Sequence, residues 1–290
     1  MMLFWRKLIF SIAALFFFQL PDDPVSASEL STRDLLIEKS NFEIPYLKGK
    51  IKFTMWSPRA ELPSYTFVFI SGFNGLFTSF FYEEFAEEIA KKGIQFIFVK
   101  GKILPPVKYK KRTAEFAFAV DYLKAQNIIS DIGQTGFMAH SCGSQSLIEY
   151  YENQNFNLHS LVLLDPVDGP PDKSNMVIKG GKKYSNGTPL LIIESGLCSE
   201  SALNINWWPA CCPDGISAKH FFNAFSNPKS HIVIEEFGHT DMMNEGFGNV
   251  IEKTRFCKST RYRERSSLQL YRRNMAEKIY GFSRSLNSTS

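Results

Sequence analysis

The stretch Thr135-Gly136-Phe137-Met138-Ala139-His140-Ser141-Cys142-Gly143, continued by Ser144-Gln145-Ser146-Leu147-Ile148-Glu149, joins a short apolar run to a helix-compatible one through a serine. A run of this length with no polar alternation suits a strand buried on both faces, and the residues after the serine have helical spacing. A serine between such elements, with small residues two before and two after it, has the pattern of a G-x-S-x-G elbow. That turn lifts the hydroxyl above the edge of a sheet, and the small flanking residues let neighbouring backbone pass. Here the first small position is Ala139 and the second is Gly143.

Outward from this stretch, strands and helices alternate. Lys50 to Trp56, Thr66 to Ile70 and Ile94 to Val99 read as strands before it; Ser160 to Leu164, Leu190 to Glu194 and His231 to Glu235 read as strands after it. Helical spacing predicts helices over Phe80 to Lys92, Thr113 to Ala125, Ser141 to Glu152 and Ser266 to Phe282. Alternation of this kind implies a mainly parallel sheet covered on both faces. With the serine turn, the expectation is an α/β-hydrolase fold in one domain, residues 28–290.

A serine hydroxyl is a weak nucleophile until an imidazole takes its proton. Of the five histidines, His239 stands on a Gly-assisted loop after the last strand, in Phe237-Gly238-His239-Thr240-Asp241. The chain order of serine, then acid, then histidine suits this fold. His140 is expected to turn its ring away from the serine, and His159 and His231 to lie at surface or edge positions. His220, in the helical stretch Ala218 to Phe222, reads as structural or as part of a pocket. The acid has three candidates. Asp165 and Asp168 follow a strand in Asp165-Pro166-Val167-Asp168-Gly169, at the carboxyl edge where catalytic groups gather. Glu200 follows the next strand. Two backbone amides are needed for an oxyanion, and Cys142 and Phe73, the latter in Ser71-Gly72-Phe73-Asn74-Gly75, are the candidates.

Four segments together resemble the chlorophyllase family: Phe69-Ile-Ser-Gly-Phe-Asn74, Ala139-His-Ser-Cys-Gly143, Leu164-Asp-Pro-Val-Asp-Gly169, and the pair Cys212-Pro-Asp-Gly215 and Gly238-His-Thr-Asp-Met-Met243. The resemblance implies an α/β-hydrolase cleaving the ester of chlorophyll to chlorophyllide and phytol, with Ser141 as nucleophile, His239 as base and Asp165 favoured as the acid. Another bulky apolar ester, cut by a lipase or polyesterase type of enzyme, is the alternative. The family's usual pattern has His-Gly in the first segment and Gly-His-Ser-Arg-Gly-Gly at the elbow; this chain has Ser71-Gly72, Ala139, Cys142 and Ser144 instead.

Composition bounds the rest. Apolar residues make up 44% of 290 residues, enough for a sizeable core, and a net charge of +4 with no aromatic-basic motif argues against nucleic acid. No cofactor or metal is expected; no cysteine spacing resembles a zinc site. Arg6 and Lys7 precede an uncharged run from Leu8 to Leu20, then the small residues Val25-Ser26-Ala27. This predicts a signal peptide over residues 1–27, with an uncleaved anchor as its rival, and secretory entry leading outside the cell, to a lumen or to a plastid. Asn186 and Asn287 head glycosylation triplets. Adjacent cysteines rarely bond each other, so Cys198 is expected to pair with one of Cys211 and Cys212, and Cys257 with the other. Cys142 is then the odd thiol. A monomer is expected, with transient membrane-surface contact by the basic stretch Lys253 to Arg273 as an option.

Overall fold

The computed structural model describes residues 37–287, apart from 48, 60–61, 76, 102–108, 130–133, 155–157, 171–174, 204–209, 227, 246–256 and 261–263. The signal segment and the Ser288 and Thr289 of the second glycosylation triplet therefore lie outside the described residues.

Eight strands form one sheet: β1 (Ile37–Tyr46), β2 (Gly49–Pro58), β3 (Tyr65–Ile70), β4 (Ile94–Lys100), β5 (Thr135–His140), β6 (Leu161–Leu164), β7 (Leu190–Ser195) and β8 (Lys229–Ile234). Their spatial order is β1-β2-β4-β3-β5-β6-β7-β8. The hairpin β1–β2 and the pair β2–β4 are antiparallel; every pairing from β4 through β8 is parallel. The chain thus reverses its direction of travel across the sheet at β3, and β3 and β5 lie side by side. Such a crossover point leaves a crevice at the carboxyl edge, where loops meet. This is the α/β-hydrolase architecture expected from the alternation of elements.

The central strands have no polar face because both are covered. All six residues of β3 and of β5 are buried. Phe67, Phe69, Phe96 and Phe98 are fully buried in β3 and β4, each contributing about 1.5–3 kcal/mol by leaving water. Helices α1 (Gly72–Gly75), α2 (Glu83–Ala90), α3 (Tyr109–Ala125), α4 (Gly143–Glu152), α5 (Ala218–Ala224) and α6 (Arg265–Asn287) follow the strands. In α3 the buried positions Tyr109, Thr113, Phe116, Val120 and Leu123 recur at three- and four-residue intervals, the stripe that seats it on the sheet.

Two readings of the sequence need correction. The ten-residue strand β1 was not expected; its mixed pattern, with Glu38, Lys39, Ser40 and Asn41, belongs to a half-exposed edge strand. The helix expected over Phe80 to Lys92 is two pieces, a 3₁₀ turn over Ser79–Tyr82 and then α2. Asn244 breaks it. Its Nδ2 donates to the Phe80 carbonyl and its Oδ1 accepts the Glu84 amide, so the bond that a continuous helix would make between those two groups is diverted.

Candidate active site

β5 ends in His140, and the chain turns through Ser141 with φ of +55° before entering α4. A left-handed backbone at a non-glycine residue costs of order 1–3 kcal/mol and persists only where surroundings hold it. Here they do. The Ser141 amide donates to the Leu164 carbonyl at 3.0 Å, and the Val167 amide donates to the Ser141 carbonyl at 3.2 Å. Gly143 is required by the same packing: a Cβ there would lie 2.6 Å from the Ser71 carbonyl oxygen.

The turn aims Ser141 Oγ at His239 Nε2, 2.8 Å away, with both residues buried. With the Ser141 hydroxyl donating to Nε2, Nδ1 is the ring nitrogen left to carry hydrogen. Asp165 Oδ2 lies 3.7 Å from Nδ1, an ion-pair separation rather than a hydrogen bond. The Cys198–Cys212 disulfide lies beside these groups, its sulfurs 3.2 and 3.3 Å from Nδ1. The second disulfide joins Cys211 to Cys257, so each of the adjacent cysteines takes a distant partner, as expected. Cys142 is the free thiol; burial pushes it up to about 11, which keeps it protonated and inert.

The carboxylate of Asp165 is held from behind. Its Oδ1 accepts the Ser195 amide and its Oδ2 the Ser195 hydroxyl, each at 2.6 Å. Ser195 Oγ in turn lies 2.7 Å from the Tyr271 hydroxyl of α6, which donates to it. Neither residue was read from the sequence. Ser195 ends β7 at the carboxyl edge, a positional signal; Tyr271 lies in the last helix and carried none. The histidine loop is pinned likewise: Asp241 Oδ2 accepts the amides of Gly238 and Thr260, each at 2.7 Å, and the buried Arg272 guanidinium donates to the Met242 carbonyl at 3.2 Å.

The other acids are engaged elsewhere. Asp168 accepts the Val177 and Ile178 amides at 2.7 and 2.9 Å, and its oxygens also meet His220 Nε2 at 3.0 Å and Gln145 Nε2 at 3.3 Å. His220 on α5 thus has a structural partner. Glu200 pairs with Lys258 at the surface. Of the remaining histidines, His231 on the edge strand β8 meets Glu194 at 2.8 Å, and His159 lies against Tyr65. The His140 ring packs on His239, centroids 4.7 Å apart, and its Nε2 meets the His239 carbonyl at 3.1 Å, a neighbour that the sequence reading did not include.

Phe73 and Cys142 both fall at this edge. Cys142 caps the N-terminus of α4, and Phe73 lies in α1, the single turn that follows β3. Gly72 shows how near α1 comes: a Cβ there would stand 3.2 Å from Ser141 Cβ. As for metals, atoms of Asp165, Cys198, Cys212 and His239 lie within 4.8 Å of one another. Joined as a disulfide, however, the two sulfurs offer no thiolate, which is the form that binds zinc.

Fold and site together define a member of the α/β-hydrolase class with serine, histidine and aspartate grouped at the carboxyl edge of the sheet. The chlorophyllase family model matches residues 55–282, and the chain belongs to that family. Chlorophyllase-2 of Arabidopsis thaliana is 26% identical over 162 residues, an alignment covering 52% of this chain and 49% of that relative; the match therefore spans about half the length of each. Solved structures of similar fold include an arylesterase (TM-score 0.57, 11% identity, 92% of this chain and 89% of that one). A ferulic acid esterase from Streptomyces cinnamoneus is another (TM-score 0.58, 11% identity, 89% and 91%).

Proposed function

We propose that this chain is a serine carboxylic ester hydrolase whose substrate is the phytyl ester of chlorophyll, released as chlorophyllide and phytol. The observation that carries the chemistry is the 2.8 Å contact from Ser141 Oγ to His239 Nε2 at a strained strand-to-helix turn. Ser141 attacks the ester carbonyl as His239 accepts its proton, and Asp165 supports the resulting imidazolium across 3.7 Å. The amides of Phe73 and Cys142 receive the oxyanion, Cys142 at the positive end of the α4 dipole. His239 returns its proton to the departing alcohol, then activates water to release the acid.

Family membership supports chlorophyll as the ester. Incubating the purified protein with chlorophyll and following dephytylated product tests it; turnover of short- and long-chain esters without chlorophyllide would assign a broader lipase or polyesterase instead. The departures at Ser71, Ala139, Cys142 and Ser144 support that second reading, since all four fall at the serine turn or at the end of β3 packed against it. Labelling of Ser141 by a fluorophosphonate probe tests the mechanism apart from the substrate. We also propose secretory entry through residues 1–27, with glycosylation at the exposed Asn186 and action as a monomer. Two disulfides support an oxidising destination, and glycosidase treatment of secreted protein checks the sugar. No helix among the described residues is long and apolar enough to cross a membrane.

A further inference from the structure

We propose that Tyr82 and His140 are positioning residues, forming a proton-ordered strut that ties the oxyanion loop to the backbone of His239. The inference rests on reading His239 as the general base. Three contacts make the strut: the Gly72 amide to the Tyr82 hydroxyl at 3.2 Å, that hydroxyl to His140 Nδ1 at 2.8 Å, and His140 Nε2 to the His239 carbonyl at 3.1 Å. Tyr82 and His140 are both buried from solvent.

The hydrogens can be assigned by elimination. A carbonyl only accepts, so His140 Nε2 must carry a proton toward the His239 oxygen. Burial first, and His239 second, hold His140 well below the ordinary histidine range, so the ring is neutral and its Nδ1 is bare. Nδ1 then accepts, and the Tyr82 hydroxyl must donate to it. That leaves the phenol oxygen to accept the Gly72 amide. Each donor meets an acceptor in one direction only, from the residue before Phe73 to the residue that takes the serine proton.

The strut has two effects on the reaction. It fixes the His239 backbone while the His140 ring supports the His239 ring at 4.7 Å. It also disfavours protonation of a second imidazole beside the base, since a proton on Nδ1 would end the hydrogen bond it accepts from Tyr82 and force that hydroxyl to turn its hydrogen away. Tyr82 is itself braced edge-on by Phe69 of β3, ring centroids 5.0 Å apart, so the anchor is part of the sheet core. An ångström of misplacement at a catalytic group can cost about a hundredfold in rate.

The test compares Tyr82→Phe, His140→Gln and His140→Leu in the full chain, by steady-state hydrolysis of p-nitrophenyl butyrate and by melting temperature. Gln keeps an N–H for the His239 carbonyl and an oxygen for Tyr82; Leu fills the space without either. The expected result is a fall in kcat of about tenfold to a hundredfold in His140→Leu, a smaller fall in Tyr82→Phe, KM within about twofold throughout, and substantial rescue in His140→Gln. Folded His140→Leu with the kcat of wild type, or no less active than His140→Gln, overturns the strut. Should His140→Leu not fold, wild-type kcat in folded Tyr82→Phe overturns it equally. Failure of the wild-type enzyme to label at Ser141 with a fluorophosphonate would instead remove the mechanism on which the strut depends, a distinguishable outcome.

Discussion

Asp165 and Asp168 stand three residues apart in one loop, both buried, and the fold uses them in opposite ways. Asp168 is surrounded by donors: two backbone amides, a glutamine and a histidine. All of them belong to segments that must be gathered, namely α4, α5 and the stretch around Val177. Asp165 receives both bonds from one residue, Ser195, and keeps one side turned to His239. Its backbone is left-handed, with φ of +42°. A carboxylate with every acceptor site taken is a fastener. One held from behind, on a strained turn, has its charge directed at the histidine that becomes positive in the proposed mechanism.

The difference predicts that the two aspartates fail differently when changed. Asp165→Asn removes the charge opposing the imidazolium and keeps the shape, so kcat should fall about 10³–10⁴-fold with the fold intact. Ester hydrolysis together with the melting curve checks this; wild-type turnover would move the acid elsewhere. Asp168→Ala should reverse the pattern. Removing it leaves buried amides and the His220 ring without an acceptor, a loss of about 3–5 kcal/mol in stability. Activity per folded molecule should stay within a few-fold. Denaturant unfolding measures the first quantity and active-site titration normalises the second. Should Asp168→Ala remain stable but inactive, the comparison is inverted.

Ser195→Ala sharpens it further. The change removes one of the two bonds to Asp165 and leaves the amide, so the carboxylate is loosened but not lost. About 2 kcal/mol of stability and about a tenfold fall in kcat are expected, a factor of ten for each 1.4 kcal/mol forfeited at the transition state. A loss as deep as that of Asp165→Asn would mean that Ser195, rather than the backbone turn, sets the carboxylate.

How much could be read from the amino-acid sequence depends on how local each signal is. The buried strands are short apolar runs, and the serine turn is one contiguous stretch, so order, fold class and elbow were legible together. β1 was not, because an edge strand with one wet face carries a weak pattern. The split before α2 depended on Asn244, some 160 positions away, which no local window contains. At the site the same rule holds. Ser141, His239 and the pair of aspartates were visible at strand ends, whereas the different surroundings of the two aspartates are set by donors from Ser195, Val177, Ile178 and His220. The partner of His140 was hidden for a similar reason: strand alternation indicates a side chain's face, but not a carbonyl brought back 99 residues later.

Glu200 provides the smallest effect and the cleanest control. It follows β7, where an acid can also serve this fold, yet its side chain is 47% exposed and paired with Lys258. An exposed pair of this kind contributes about 0–1 kcal/mol, since water and salt screen it and two long side chains must be held still. Glu200→Gln should therefore leave kcat unchanged and shift stability by no more than about 0.5 kcal/mol. The physical reason lies in the disulfide beside the site. Joining Cys198 to Cys212 draws the chain after β7 against His239 Nδ1, so the place that an acid from this loop would occupy is filled by sulfur. A crippled Glu200→Gln would require that loop to turn over and present residue 200 to the histidine, and it would leave Asp165 as a second fastener beside Asp168.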